Sequence, residues 1–222
     1  MKIIILNGSP RKNGATANIL HEMEKKLLDK GCSIEFINIS ELKVSPCVGC
    51  CNCYKTGICH IKDDAESLST RMGNADGIII GSPTYASNVS GQLKQFIDRG
   101  HFVIEQLLHG KYAVSVATGE NYGNNDTSKA IVKLIKFSGA KLSGKIICTI
   151  PFNANLQEDK KQAKEIHVMA DKLYSDIQQR KFYFSQTIMH KVIFNIGIKP
   201  FVLRKGEKYD GVISRWKSIN II

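Results

Sequence analysis

No stretch of this chain approaches the roughly 18 uninterrupted apolar residues that a membrane-spanning helix needs. The apolar run near the N-terminus, Ile3 to Leu6 in MKIIILNGSP, is too short for a signal-peptide core, and no small-residue cleavage site follows it. A cytoplasmic location is therefore expected. Acid is scarce beside base: 20 Asp and Glu stand against 31 Lys and Arg, a formal net charge of +11. Yet no helix-turn-helix, zinc-finger or aromatic RNA-binding motif accompanies that charge. Small anionic cofactors, rather than nucleic acid, are the expected partners. The triphosphate loop ending in Gly-Lys-Ser/Thr is missing, as is the dinucleotide fingerprint G-x-G-x-x-G. No Ser-His-Asp or Cys-His constellation is evident, and there is no internal repeat.

What is present is an alternation. The 222 residues, 43% apolar and 23% charged, suffice for one α/β domain with an appendage. KIIILN reads as a buried parallel strand, and ATANILHEMEKKLLDKG as a helix with Ile19, Leu20, Met23 and Leu27 on one face. SIEFINI is a second strand. DDAESLSTRMGNA is a helix capped by Asp63 or Asp64. DGIIIGSP is a third strand, and SGQLKQFIDRGHFVIEQLL one helix with Leu93, Phe96, Ile97, Ile104 and Leu108 inward. YAVSVAT is a fourth strand. NDTSKAIVKLIKFSGA is a helix with Asp126 as cap and Gly139 as stop. KIICTIP is a fifth strand, and Asn155 to Arg180 a long polar helix. The pattern predicts a doubly wound, five-stranded parallel sheet with helices on both faces.

Residues 181–222 break the alternation. From Arg180 to Lys217 nine Lys or Arg meet only Glu207 and Asp210. FYFSQTIMHKVIFNIGIKPFVLRK is apolar and basic together. It suits a helical extension covering a core edge or a dimer interface, and less well an amphipathic segment on an anionic membrane. His190, Lys191 and Asn195 argue against spanning.

Ligands of open α/β sheets bind beyond the carboxyl ends of the strands. The loop after the first strand, NGSPRKNGAT, leads into a helix N-terminus, where free amides attract an anion. Ser9 and Thr16 offer hydroxyls, Gly14 lets backbone amides approach, and Arg11 can pair with a phosphate oxygen. Such a loop suits a single phosphate. In GSPTYASNVSGQLKQFIDR, Pro83 fixes the backbone, Tyr85 presents a flat face to a planar ligand, and Asn88 can read polar ring atoms. In TGENYGNND, Gly119 and Gly123 admit a ring system, with Tyr122 either a lid or an exposed aromatic.

Together these three loops resemble those of the flavodoxin-like NAD(P)H-dependent FMN reductases, over roughly residues 1–180. The resemblance implies sheet order 2-1-3-4-5 and a bound FMN. Ser9, Arg11, Asn13, Gly14, Ala15 and Thr16 would hold its phosphate. Pro83, Thr84, Tyr85, Ala86, Asn88, Thr118, Gly119 and Gly123 would border the isoalloxazine. NAD(P)H would be the co-substrate, and a quinone, a flavin or a protein the electron acceptor. The flavin would carry the chemistry, with no catalytic side chain required. A homodimer or homotetramer is also implied. The alternative from a different class is a non-enzymatic electron carrier between proteins.

Five of the seven cysteines crowd into SPCVGCCNCYKTGICH, residues 45–60. The spacing Cys47-x2-Cys50-x2-Cys53-x5-Cys59, with Cys51 extra, is closer to a [4Fe–4S] run than to the paired knuckles of a zinc site. Zinc and a metal-free thiol loop remain open on spacing alone. The pattern resembles the iron–sulfur flavoprotein branch of the same group, which implies Cys47, Cys50, Cys53 and Cys59 as ligands. Cys32 and Cys148 read as buried small residues, His60 as an exposed loop histidine, and His101 and His109 as structural positions within a helix.

Overall fold

The computed structural model describes residues 1–151 and 160–222. Five parallel strands run β1 (Lys2–Asn7), β2 (Ser33–Asn38), β3 (Gly77–Pro83), β4 (Tyr112–Gly119) and β5 (Lys141–Thr149). Their order is β2-β1-β3-β4-β5. The chain winds one way from β1 to β2 and the other way from β3 to β5, so the order reverses beside β1. This is the doubly wound sheet that the alternation predicts.

Strand β1 shows why both faces must be covered. Ile3 and Ile5 point into one apolar cluster, and Ile4 and Leu6 into another, all at 0% exposure. Burying each such side chain is worth about 1.5–3 kcal/mol. One cluster is roofed by α1 (Ala15–Leu28), through Ile19, Leu20, Met23 and Leu27, and by α6 (Lys160–Gln178), through Ile166, Ala170 and Leu173. The other is roofed by α3 (Asp64–Gly73), α4 (Gly91–Arg99) and α5 (Asn124–Phe137). A short α2 (Asn52–Thr56) lies within the cysteine segment. β5 carries a register irregularity at Ser143, where Ala113 pairs with Leu142 but Val114 with Gly144.

Two of the expected helices need correction. The helix opening at Gly91 ends at Arg99, not near Leu108. Gly100 lets Phe102 fold back edge-on to Phe96, with ring centroids 5.5 Å apart, where a Cβ would sit 2.4 Å from the Phe102 ring. His101 then takes φ 59°, and both it and His109 lie in the connection to β4 rather than within a helix. Leu108 is still fully buried. The cap of α5 is Gly123 at φ 85°, and Asp126 lies inside the first turn instead. The helix expected from Asn155 is described only from Lys160, its earlier part falling outside the described residues.

The C-terminal residues are helical. α7 (Phe184–Val192), a π-helical stretch (Ile193–Ile198) and α8 (Lys199–Leu203) run on without a break, and α9 (Asp210–Ser218) follows. Phe194, Val202, Tyr209, Val212 and Trp216 form a third apolar cluster with Tyr54, Val103 and Ile104. Phe184, Ile188, Val192 and Ile196 face outward. Among the described residues no helix is long and apolar enough to cross a membrane.

Candidate functional site

Two pockets stand out, one beyond the carboxyl ends of the strands and one between the cysteine segment and the turn that follows α4. The first is a cleft lined by Ser9, Arg11, Gly14, Ala15, Thr16, Pro83, Tyr85, Thr118, Gly119 and Ile150. Its floor is held by the parallel pairing of β1 and β3. The Gly8 amide donates to the Gly81 carbonyl at 2.8 Å, and a Cβ on Gly8 would lie 2.8 Å from that same oxygen. Ser90 caps α4 and also donates to the Gly8 carbonyl at 2.5 Å. Ser9 is buried, and its hydroxyl accepts from the Arg11 amide at 3.0 Å, which leaves the hydroxyl proton to donate. Thr16 and Thr118 share a hydroxyl contact of 2.7 Å, tying α1 to β4. The N-cap of α1 is Gly14, so no side chain caps the helix, and its first turn holds no acid. Its free amides and dipole are therefore the main attraction for an anion in the cleft.

Asn13, Thr84, Ala86, Asn88, Tyr122 and Gly123, also singled out in the three loops, fall outside this lining. Tyr85 and Asn88 exchange backbone hydrogen bonds at 2.9 and 3.0 Å around a tight turn at Ala86 and Ser87, both at positive φ. Asn88 spends its side-chain oxygen on the Val89 amide at 2.8 Å. The Thr84 amide donates to the Thr118 carbonyl at 2.7 Å, and its buried Oγ1 has no partner among the described residues. Gly123 is pressed against Ser87 and Thr84. Asn13 lies exposed on the turn before α1, and Tyr122 is 78% exposed. Ile150 was not singled out from sequence. It follows β5 directly, and only the sheet order brings it into the same cleft as the first loop, more than a hundred residues earlier.

The second pocket encloses about 320 Å³ and is lined by Cys47, Cys51, Cys53 and Cys59 together with Arg99, His101 and Glu105. Cys50 faces a neighbouring opening with Lys55 and Lys208, where its sulfur lies 3.2 Å from His60 Nδ1. Arg99 ties the two ends of the cysteine loop together. Its guanidinium donates to the Ser45 carbonyl (2.9 Å) before the loop and to the Ile61 carbonyl (3.2 Å) after it. It also grips Asp63 through two bonds of 2.6 and 2.9 Å. Asp63 in turn accepts from the Ser45 amide and caps α3 through the Ala65 amide. Burial alone would raise the Asp63 pKa, but Arg99 and these amides hold it down at about 2.

His101 bridges two carboxylates, with Nδ1 2.9 Å from Glu105 and Nε2 3.0 Å from Glu66. Burial pulls its pKa down, but hydrogen bonds to Glu105 and then Glu66 overrule that and lift it to about 9. At neutral pH it is an imidazolium donating from both nitrogens. Glu66 also accepts from the Cys59 amide at 3.2 Å. Cys53, His101 and Glu105 have ligand atoms within 4.8 Å of one another. Burial, then the Glu105 charge and Cys59, push the Cys53 thiol up to about 12. A bound cation would reverse that balance and take the thiolate.

The pocket fits a metal–sulfur group on its own terms. Three of the four cysteines in the expected ligand set converge on it, and Cys50 is adjacent in sequence to Cys51, which also lines it. Arg99 Nε is buried there with no hydrogen-bond partner among the described residues, and the guanidinium lies beside Cys59. A donor left over among thiols is what a sulfide-rich cofactor would satisfy. Sequence reasoning passed over Arg99, Glu66 and Glu105 because each is an ordinary helix or turn charge whose partner lies far off in the chain.

Residues 1–152 match the family described as NADPH-dependent FMN reductase. The chain belongs to this family. As a member it is an NAD(P)H-dependent flavin oxidoreductase with an FMN-binding fold. It is 34% identical over 225 residues to an iron–sulfur flavoprotein of Clostridioides difficile (strain 630), covering 100% of both chains. Among solved structures, an NADH:FMN oxidoreductase in its apo form superposes with TM-score 0.59 at 20% identity, covering 78% of this chain and 89% of that one. A flavodoxin of Streptococcus pneumonia TIGR4 superposes with TM-score 0.52 at 16% identity, covering 79% and 98%. These two likenesses bear on the fold, which is flavodoxin-like.

Proposed function

We propose that this FMN reductase relative takes hydride from NAD(P)H at the first cleft and passes electrons to a quinone, flavin or protein acceptor by way of a [4Fe–4S] cluster in the second. The observation that carries the flavin half is the uncapped α1 N-terminus beside buried Ser9 and Thr16, inside the family-matching region. There FMN would supply the hydride and single-electron chemistry. Ser9, Thr16 and the amides of Ala15 and Thr16 hold its phosphate, with Arg11, Asn13 and Gly14 shaping the turn. Pro83, Tyr85, Thr118 and Gly119 border its ring, and Thr84, Ala86, Asn88 and Gly123 set the loops that carry them. Ile150 keeps water from the cleft's apolar side.

The cluster half rests on the converging thiols and the leftover Arg99 donor, and on likeness to a protein named as an iron–sulfur flavoprotein. Cys47, Cys53 and Cys59 hold the group, with Cys50 as the fourth ligand. Arg99 and Asp63 fix the loop ends. The same reading makes residues 1–180 the flavin-binding unit and 181–222 an extension. It makes the protein a cytoplasmic homo-oligomer.

Stopped-flow mixing of anaerobically purified protein with NADH or NADPH tests the flavin half. Rapid loss of flavin absorbance is expected; colourless protein that refuses added FMN overturns it. Iron and acid-labile sulfide assays test the cluster. About four of each per chain are expected for a [4Fe–4S] group, and zinc or no metal at all would overturn it.

A further inference from the structure

The C-terminal helices contact both walls of the cysteine pocket. On the α2 wall the Tyr54 and Tyr209 rings stack, with centroids 4.8 Å apart and planes 22° off parallel. Beside them α9 passes so close that a Cβ on Gly211 would sit 2.1 Å from the Gly57 nitrogen and 2.7 Å from the Thr56 carbonyl carbon. The opposite wall is the turn that carries His101 and Glu105. There Trp216 Nε1 donates to the Ile104 carbonyl at 2.9 Å, and Arg215 Nε to the Glu105 carbonyl at 2.9 Å. Trp216 is fully buried, and Phe194 packs edge-on against it at 4.8 Å. The segment that grips both walls is thus anchored in an apolar cluster of its own. All of these gripping residues lie beyond residue 152, where the family match ends.

We propose that residues 199–222 are a clamp that sets the spacing between α2 and the His101–Glu105 turn, and so limits access of solvent and oxidants to the group held by the cysteines. This rests on the cysteine pocket as a cofactor site, but the clamp itself is a claim about access to Cys53. Gly211 is the contact that tolerates no side chain. Trp216 ties the far wall through one donor.

The test uses full-length Gly211→Val and Trp216→Phe. In metal-free protein, alkylation of each cysteine by iodoacetamide is followed by mass spectrometry. In cluster-loaded protein, the rate at which a ferrous chelator strips iron is followed anaerobically. Gly211→Val should raise both Cys53 alkylation and iron loss about tenfold, and Trp216→Phe both by a few-fold, as expected for local opening. Cys32 and Cys148, at 6% and 4% exposure, should not change. A Cys53 rate equal to wild type in both variants overturns the clamp. So does a parallel rise at Cys32 and Cys148 in both, which would mean that the helices support the whole fold. Wild-type protein that takes up no iron, with Cys53 still exposed by Gly211→Val, sinks the cluster reading alone and leaves the clamp standing.

Discussion

The cleft at the start of α1 and the cysteine pocket are built by different physics. The cleft is made of backbone. Its amides and glycines, with the hydroxyls of Ser9 and Thr16, follow directly from strands ending and a helix beginning. The cysteine pocket is made of side chains converging from far apart: Arg99 on Asp63, His101 on Glu66, and Trp216 on the turn before Glu105. A backbone site is cheap to specify and tolerates many neighbours. A convergent polar site fails when one buried charge loses its partner.

The strongest way to break this contrast is Arg99→Gln. The Arg99 and Asp63 side chains are 1% and 7% exposed, so the substitution leaves a carboxylate buried without its cation. Loss of one partner of a buried pair costs about 3–5 kcal/mol. We expect a large fall in the urea midpoint and little iron retained, while protein that remains folded still binds FMN. Equal loss of FMN and iron would show that the two sites are one cooperative unit.

Gly8→Ala strikes the other side. The new methyl would press on the Gly81 carbonyl and Leu93, at a cost of about 1–3 kcal/mol from overpacking. FMN content should fall and iron content should hold. Loss of iron with FMN retained would invert the contrast.

This difference in construction also decides what the sequence made legible. KIIILN, DGIIIGSP and YAVSVAT announce a sheet buried on both faces, and NGSPRKNGAT announces the anion site, because these signals are local. The helix ending at Arg99 was not legible. Its apolar periodicity continues through Ile104 and Leu108, and only the Phe102–Phe96 contact reveals the turn that delivers Arg99 and His101 to the cysteines. Nor could the cysteine spacing show that Cys50 faces His60 while Cys51 lines the pocket. That is set by Cys51 in a left-handed conformation at φ 59°. The C-terminal helices read as basic and apolar, but their seat against α2 depends on Gly211 meeting Gly57, a pairing that no periodicity encodes.

A finer probe of the cleft is Ser9→Ala. The buried hydroxyl accepts from the Arg11 amide and keeps its proton for the anion. A hydrogen bond to a charged group contributes about 1.5–3 kcal/mol, so the FMN dissociation constant should rise roughly ten- to a hundredfold. Riboflavin, which lacks the phosphate, should bind wild type and variant alike. A matching loss for riboflavin would put Ser9 against the ring instead.

The smallest effect is at the far end of the sheet and separates the C-terminal helices from the body. His109 lies near the start of β4, its ring centroid 5.7 Å from that of His190 on α7. Burial, then the neighbouring His190 charge, lowers the His109 pKa to about 4, against an ordinary value of 6.5. The unfolded chain therefore takes up a proton near pH 6.5 that the native state refuses until about pH 4. Stability is whole above 6.5 and drains away as the pH falls toward 4. With the partial exposure of the ring, we expect on the order of 1 kcal/mol to be lost across that window. His109→Gln should flatten that slope in urea titrations. Burial disfavours both imidazolium forms at the contact between α7 and the body, so acid favours an opened α7, and hydrogen-exchange protection factors at pH 5 should fall in α7 before they fall in β1. If β1 opens first, the helices are held by more than this contact, and the division between a backbone-built core and a side-chain-built appendage is drawn in the wrong place.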